Sequence, residues 1–184
     1  MSEISRRFRR VAGGFTETAQ AVQPGAWENP SPCEGWVARD VVRHLVTWVP
    51  AFLQAGAGVE LPPGPPVDDD PVAAWGTLRD ALQGLLDDPE AAAGEFDHER
   101  AGRHRLDEAI AQFILGDVLI HTWDLARSAG VDVTLDPDEV RGMLAGVEQM
   151  GDALEKSGQY GPRVDMPSDA DPQTKLLAAT GRRP

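Results

Sequence analysis

With 184 residues, 41% of them hydrophobic and 26% charged, the chain has the length and composition of one soluble globular domain with a single core. Its formal net charge of -13 speaks against a nucleic-acid binder, because neutralising phosphate supplies most of the affinity there. One cysteine, Cys33, excludes an internal disulfide and a cysteine-rich zinc site, and fits a reducing compartment.

The chain opens with Ser5-Arg6-Arg7-Phe8-Arg9-Arg10, but Gly13-Gly14-Phe15-Thr16 follows where a twin-arginine export signal needs an apolar stretch. No run approaches the roughly 18 apolar residues of a membrane span. The expectation is a cytoplasmic protein with neither membrane nor nucleic acid as partner.

Ile4, Phe8, Val11, Phe15, Ala19 and Val22 recur at steps of three and four, which predicts an amphipathic first helix ended by Pro24-Gly25. Asn29-Pro30-Ser31-Pro32 is a turn-rich connection, and proline forbids helix through it. A second helix begins near Trp36 with Val37, Val41, Leu45, Trp48 and Phe52 as its apolar stripe, and ends by Gly56. Residues 56 to 70, rich in Gly, Pro and Asp, form a long crossover. Pro71 suits the first turn of a third helix reaching Leu86.

Residues 87 to 104 read as polar and irregular, with a short extended piece near Glu95-Phe96. The strongest helical pattern runs from about Leu106 to Ala129, with Gly130 as its C-terminal stop. A fifth helix spans Pro137 to Leu154 with Asp136 as N-cap, and the tail holds one short amphipathic piece at Thr174 to Ala179. Long helices joined by one long crossover predict an all-α class: a four-helix bundle with short C-terminal additions, in one domain spanning 1–184.

Asp117 and His121 stand four apart on the best-defined helix, so their side chains share a face. Ile110, Ile114, Asp117, His121 and Asp124 continue one another at steps of four, three, four and three. The apolar half of that stripe faces the core, so the carboxylate and imidazole face inward as well. On the second helix, Val37, Val41, His44 and Trp48 lie on one line. Three metal-ligand side chains from two helices therefore point into one bundle. A buried carboxylate without a partner is unfavourable by several kcal/mol, on the order of what a shared cation relieves. Two imidazoles and one carboxylate suit zinc, nickel or ferrous iron and leave coordination positions open; zinc is the ion expected, with nickel or iron as alternatives.

The ordinary reading of an Asp and a His four apart is a surface hydrogen bond or a satisfied core pair. A third ligand, His44 on another helix, is what favours a metal. Asp40 and Asp124 stand where they would orient the imidazoles, or are simply a first-turn acid and a helix-surface charge. Glu95 and His98 have a di-iron spacing, but it occurs once and outside a helix. His98 and His104 read as exposed loop residues. Cys33 reads as a small half-buried residue before the second helix, with a nucleophilic role as the alternative. Trp36, Trp48 and Trp123 flank the three ligands and would line a pocket.

Two stretches carry a family resemblance: Ser31-Pro32-Cys33-Glu34-Gly35-Trp36 running on to His44-Leu45, and Gly116-Asp117-Val118-Leu119-Ile120-His121-Thr122-Trp123-Asp124. They resemble the signature of the actinobacterial group related to the N-terminal domain of mycothiol-dependent maleylpyruvate isomerase, within the DinB-like superfamily. The tail from Tyr160 to Pro184 resembles the single-domain metal-binding branch. The resemblance implies a DinB-like bundle holding a metal with His44, Asp117 and His121, a homodimer, and mycothiol as a second cofactor. It departs in two places. The isomerase has Glu where this chain has Asp117, and it carries a second, C-terminal domain that this chain lacks.

Two classes of function are open on the sequence. One is a metal- and thiol-dependent S-transferase or isomerase acting on a small electrophile, with a metal-hydroxide hydrolase as a variant. The other is a non-catalytic metal-binding, structural or stress-response module. In that case a fourth protein ligand (His98, His104 or Asp124) closes the site, or the metal has been lost.

Overall fold

The computed structural model describes residues 1–151, 158 and 160–184. They divide into two compact units, Met1–Val131 and Asp132–Pro184. Helices dominate, and the sheet among the described residues is a two-stranded hairpin, so the class is all-α as expected.

In the first unit, α1 (Glu3–Ala21) starts at Ser2, whose hydroxyl accepts the Ser5 N–H at 3.1 Å. Its predicted stripe is buried at Phe8, Val11, Phe15 and Ala19. Pro24 then opens a 3₁₀ turn, Pro24–Glu28. Helix α2 is Ala38–Ala57, and α3 is Pro71–Asp87, with Pro71 in the first turn and the Asp70 carboxylate accepting from Ala73 N–H at 2.9 Å. A short helix, α4 (Pro89–Ala92), leads into the antiparallel strands β1 (Glu95–His98) and β2 (Gly102–Arg105). The hairpin packs on α2. The Phe96 ring lies so close to Gly56 that a side-chain carbon there has no room.

The last long helix of this unit has three parts: α5 (Leu106–Ala109), a π-helical segment (Ile110–Ile114) and α6 (Leu115–Ala129), stopped by Gly130 at φ 70. Leu106–Ala129 is apolar and long enough to cross a membrane by composition, but 72% of its most apolar window is buried, as in a core helix. Helices α1 and α2 each pack against both α3 and α6. The consecutive helices α1 and α2 thus lie on a diagonal of a four-helix bundle, and α2 is brought beside α6.

The second unit pairs α7 (Pro137–Met150) with α8 (Pro172–Ala179). Asp136 caps α7 as expected, accepting from Asp138 and Glu139 N–H. Leu154, where the sequence pattern ends the fifth helix, lies outside the described residues. The Gln173 amide accepts from Leu135 N–H and donates to the Val133 carbonyl, tying the segment before α7 to α8.

Candidate metal centre

The connection between the 3₁₀ turn and α2 is built by short hydrogen bonds. Ser31 N–H donates to the Trp36 carbonyl at 2.9 Å and Trp36 N–H to the Cys33 carbonyl at 3.1 Å. Gly35 supplies the left-handed backbone this turn needs, at φ 77. The Asn29 side chain donates to the Ser128 carbonyl at 3.0 Å and fastens the loop to α6. Cys33 and Trp36 are thereby held against one face of α6, next to the start of α2.

That face carries the predicted ligands. His44 on α2 lies with its Nε2 3.1 Å from Asp117 Oδ2, and His121 Nε2 is 3.4 Å from Asp117 Oδ1. The donor atoms of His44, Asp117 and His121 all fall within 4.8 Å of one another. Donor atoms this close could share one cation with bonds of about 2.0–2.3 Å, and without one the same atoms pair directly as imidazole and carboxylate. The other nitrogen of His121, Nδ1, donates to Asp124 Oδ2 at 2.9 Å. Asp124 is fully buried and His121 is 5% exposed. This hydrogen bond fixes the ring and turns Nε2 toward Asp117. Trp48 Nε1–H donates to Asp117 Oδ2 at 2.9 Å, so the second carboxylate oxygen, Oδ1, faces His121.

The electrostatics are those of a tightly coupled pair. Burial opposes charge on Asp117, but the His121 and His44 imidazoles outweigh it and hold the carboxyl well below the usual carboxylate range. Burial likewise works against an imidazolium at His121. Asp117, with Asp124 and Cys33, outweighs it and holds His121 well above the ordinary imidazole range. A proton on His121 therefore stands where a divalent cation would otherwise neutralise the same carboxylate.

Trp36 covers the two imidazoles, its ring centroid 5.1 Å from His44 and 5.8 Å from His121. Trp48 also lies beside His44, at 5.9 Å. Trp36, Asp40, Arg43, His44, Thr47 and Trp48 line an open pocket of about 340 Å³. Trp123, the third tryptophan expected there, is buried in the core and outside this lining.

Several other expectations are corrected or resolved. Asp40 does not orient His44. Its carboxylate accepts from Val37 N–H at the start of α2 and from Arg43, the first-turn role given as the alternative. His98 and His104 are half-buried strand residues rather than exposed loop residues. Both pack on aromatic rings, His98 on Phe52 and Phe96, His104 on Phe96 and Phe113. Neither belongs to a metal-ligand group among the described residues. Glu95 pairs with Arg103 across the hairpin, away from any di-iron arrangement. Cys33 is half-buried as expected, but its Sγ also lies 3.4 Å from Asp124 Oδ2. With His121 and Asp124 it forms a second cluster of donors sharing the same imidazole. The sequence signal for that contact is faint, because Cys33 and Asp124 are 91 residues apart.

No solved structure matches the chain. Two uncharacterized proteins of Mycobacterium tuberculosis, one from strain CDC 1551 / Oshkosh and one from strain ATCC 25618 / H37Rv, are each 26% identical to it over 180 residues. The alignment covers 95% of this chain and 94% of each relative. The sequence model of the mycothiol maleylpyruvate isomerase N-terminal domain matches residues 8–126, which span the bundle and all three predicted ligands. The chain belongs to the family of the mycothiol maleylpyruvate isomerase N-terminal domain.

Proposed function

We propose that this protein binds one divalent metal ion through His44, Asp117 and His121, and uses it with a small thiol to transfer sulfur to, or isomerise, a small electrophile. Mycothiol is the thiol the family points to, and the donor set suits zinc, nickel or iron, of which we take zinc first. The observation that carries the reading is the convergence of three donors from α2 and α6 beside a pocket, with Asp124 bonded to the far nitrogen of His121. A purely structural site closes with a fourth protein ligand. The groups named for that role are otherwise engaged, Asp124 on His121 and His98 and His104 in the aromatic cluster.

A metal bound there would favour the thiolate form of a coordinated thiol at neutral pH. Around it, each residue of the chain has a defined task. Asp124 holds His121 by its Nδ1–H. Trp48 holds Asp117 by Oδ2, the oxygen that also faces His44, and leaves Oδ1 toward His121. Trp36 roofs the imidazoles against water. The pocket seats the electrophile, whose carbon gains a bond to sulfur as a leaving group departs. In an isomerisation, sulfur adds to a double bond, the resulting single bond rotates, and sulfur leaves.

The test is thiol consumption with a reactive electrophile, compared between metal-loaded protein, metal-stripped protein and Asp117→Asn. The reading expects transfer only in the first. Equal rates in all three would leave a non-catalytic helical module as the better description.

A further inference from the structure

The pocket beside His44 is unusual in its charge. Its one cation, Arg43, is paired with carboxylates: Nε meets Asp40 Oδ1 at 3.2 Å, and the two terminal nitrogens take both oxygens of Asp68 at 2.8 and 3.4 Å. Arg39, next to it on α2, is shared between Asp68 at 3.1 Å and Glu28 at 2.7 Å. Two guanidiniums therefore face three carboxylates along this rim, and the chain as a whole carries -13. An anionic group entering here would compete with Asp40 and Asp68 for Arg43 against an excess of negative charge. What the walls offer instead is ring surface: the indoles of Trp36 and Trp48, each beside the His44 imidazole. From Trp48 the aromatic surface continues to Phe52 at 5.4 Å, and from Phe52 to Phe113 at 5.5 Å, both half-buried.

We infer that the electrophile taken by this site is an uncharged, flat, apolar molecule, an aromatic or conjugated compound that stacks on the ring surface of Trp36 and Trp48 lining the pocket, and not a carboxylate or other anion. The inference rests on the proposed thiol transfer, which assigns the ion's open position to sulfur and leaves the second substrate to these walls. Stacking on indole rewards a planar apolar body, and the carboxylates on the rim weaken the charge-assisted hydrogen bonds that an anion needs in exchange for its hydration.

Two unreactive probes of the same shape separate the cases: naphthalene-2-carboxamide, which is neutral, and naphthalene-2-carboxylate. Their affinities for the full-length protein are measured by titration calorimetry, with metal content determined on the same samples. The carboxamide should bind at least about tenfold more tightly, a difference of about 1.4 kcal/mol. Trp36→Ala should weaken it by about tenfold. Asp68→Asn, a change at an exposed position, should narrow the preference by releasing Arg43. A carboxylate that binds as tightly as the carboxamide, or no carboxamide binding at all, would overturn the inference. So would an affinity indifferent to Trp36→Ala. These readouts need no turnover, so a normal preference in a protein without thiol-transfer activity would count against the catalytic reading alone.

Discussion

Asp117 is one methylene shorter than the glutamate of the isomerase, and the hydrogen bond from Trp48 suits that shortness. With Oδ2 held at 2.9 Å by the indole N–H, only Oδ1 is left to turn toward His121. Trp48→Phe keeps the ring and removes that donor. It is expected to lower metal affinity by about 10- to 100-fold, as does the loss of groups that orient ligands elsewhere. Asp124→Asn should fall in the same range of about 10- to 100-fold, because an amide no longer holds the Nδ1–H form of His121 as firmly. Both are read by competition with a chromogenic chelator, and an unchanged affinity in either variant would refute its positioning role.

The Asp117–His121 pair also gives metal-free protein a defined pH response. The depressed Asp117 carboxyl contributes stability present above its unfolded value of about 3.9, and lost as pH falls through the folded one. The raised His121 contributes stability fully present below its unfolded value of about 6.5, and lost as pH rises through the folded one. The melting temperature of stripped protein should therefore decline on the alkaline side. Added zinc, taking the place of the proton, should abolish that decline. Parallel declines with and without zinc would show that His121 does not exchange its proton for an ion.

At the scale of elements, the long helices were legible because their apolar residues recur at helical spacing and their ends carry Ser2, Asp70, Asp136 and Gly130 as caps or stops. The grouping of His44, Asp117 and His121 could be read for the same reason, since residues four apart on a core-facing helix share its face. Other features escaped. The π-helical segment at Ile110–Ile114 widens one turn just before Asp117, and isoleucine, alanine, glutamine and phenylalanine spell nothing different from an α-helix. Of the β1–β2 hairpin only the extended piece at Glu95-Phe96 was legible; its pairing with β2 escaped because Gly102–Arg105 carries no apolar residue, and Phe96 packs on α2, a contact distant in sequence. Gly56 is the clearest mark of it. Gly56→Ala should destabilise the protein by roughly 1–3 kcal/mol through overpacking against Phe96. A change below a few tenths of a kcal/mol in denaturant unfolding would mean that the hairpin yields freely.

For the whole molecule, the family match ends at residue 126, within the first compact unit, while both mycobacterial relatives align along nearly the full length. The single-domain organisation expected from the sequence makes a direct prediction. Calorimetry should show one unfolding transition whose calorimetric and van't Hoff enthalpies agree. Two resolved transitions would assign residues 132–184 to a separate domain.

The central claim is that His44, Asp117 and His121 hold a metal, and elemental analysis tests it most directly. Protein purified without a metal-affinity tag is compared with His121→Ala prepared in parallel. About one equivalent of zinc, nickel or iron in the wild type, lost in the variant, is the predicted result. No metal in either protein, and none taken up on addition, would contradict it and leave the Asp117–His121 pair as a buried ion pair of the bundle.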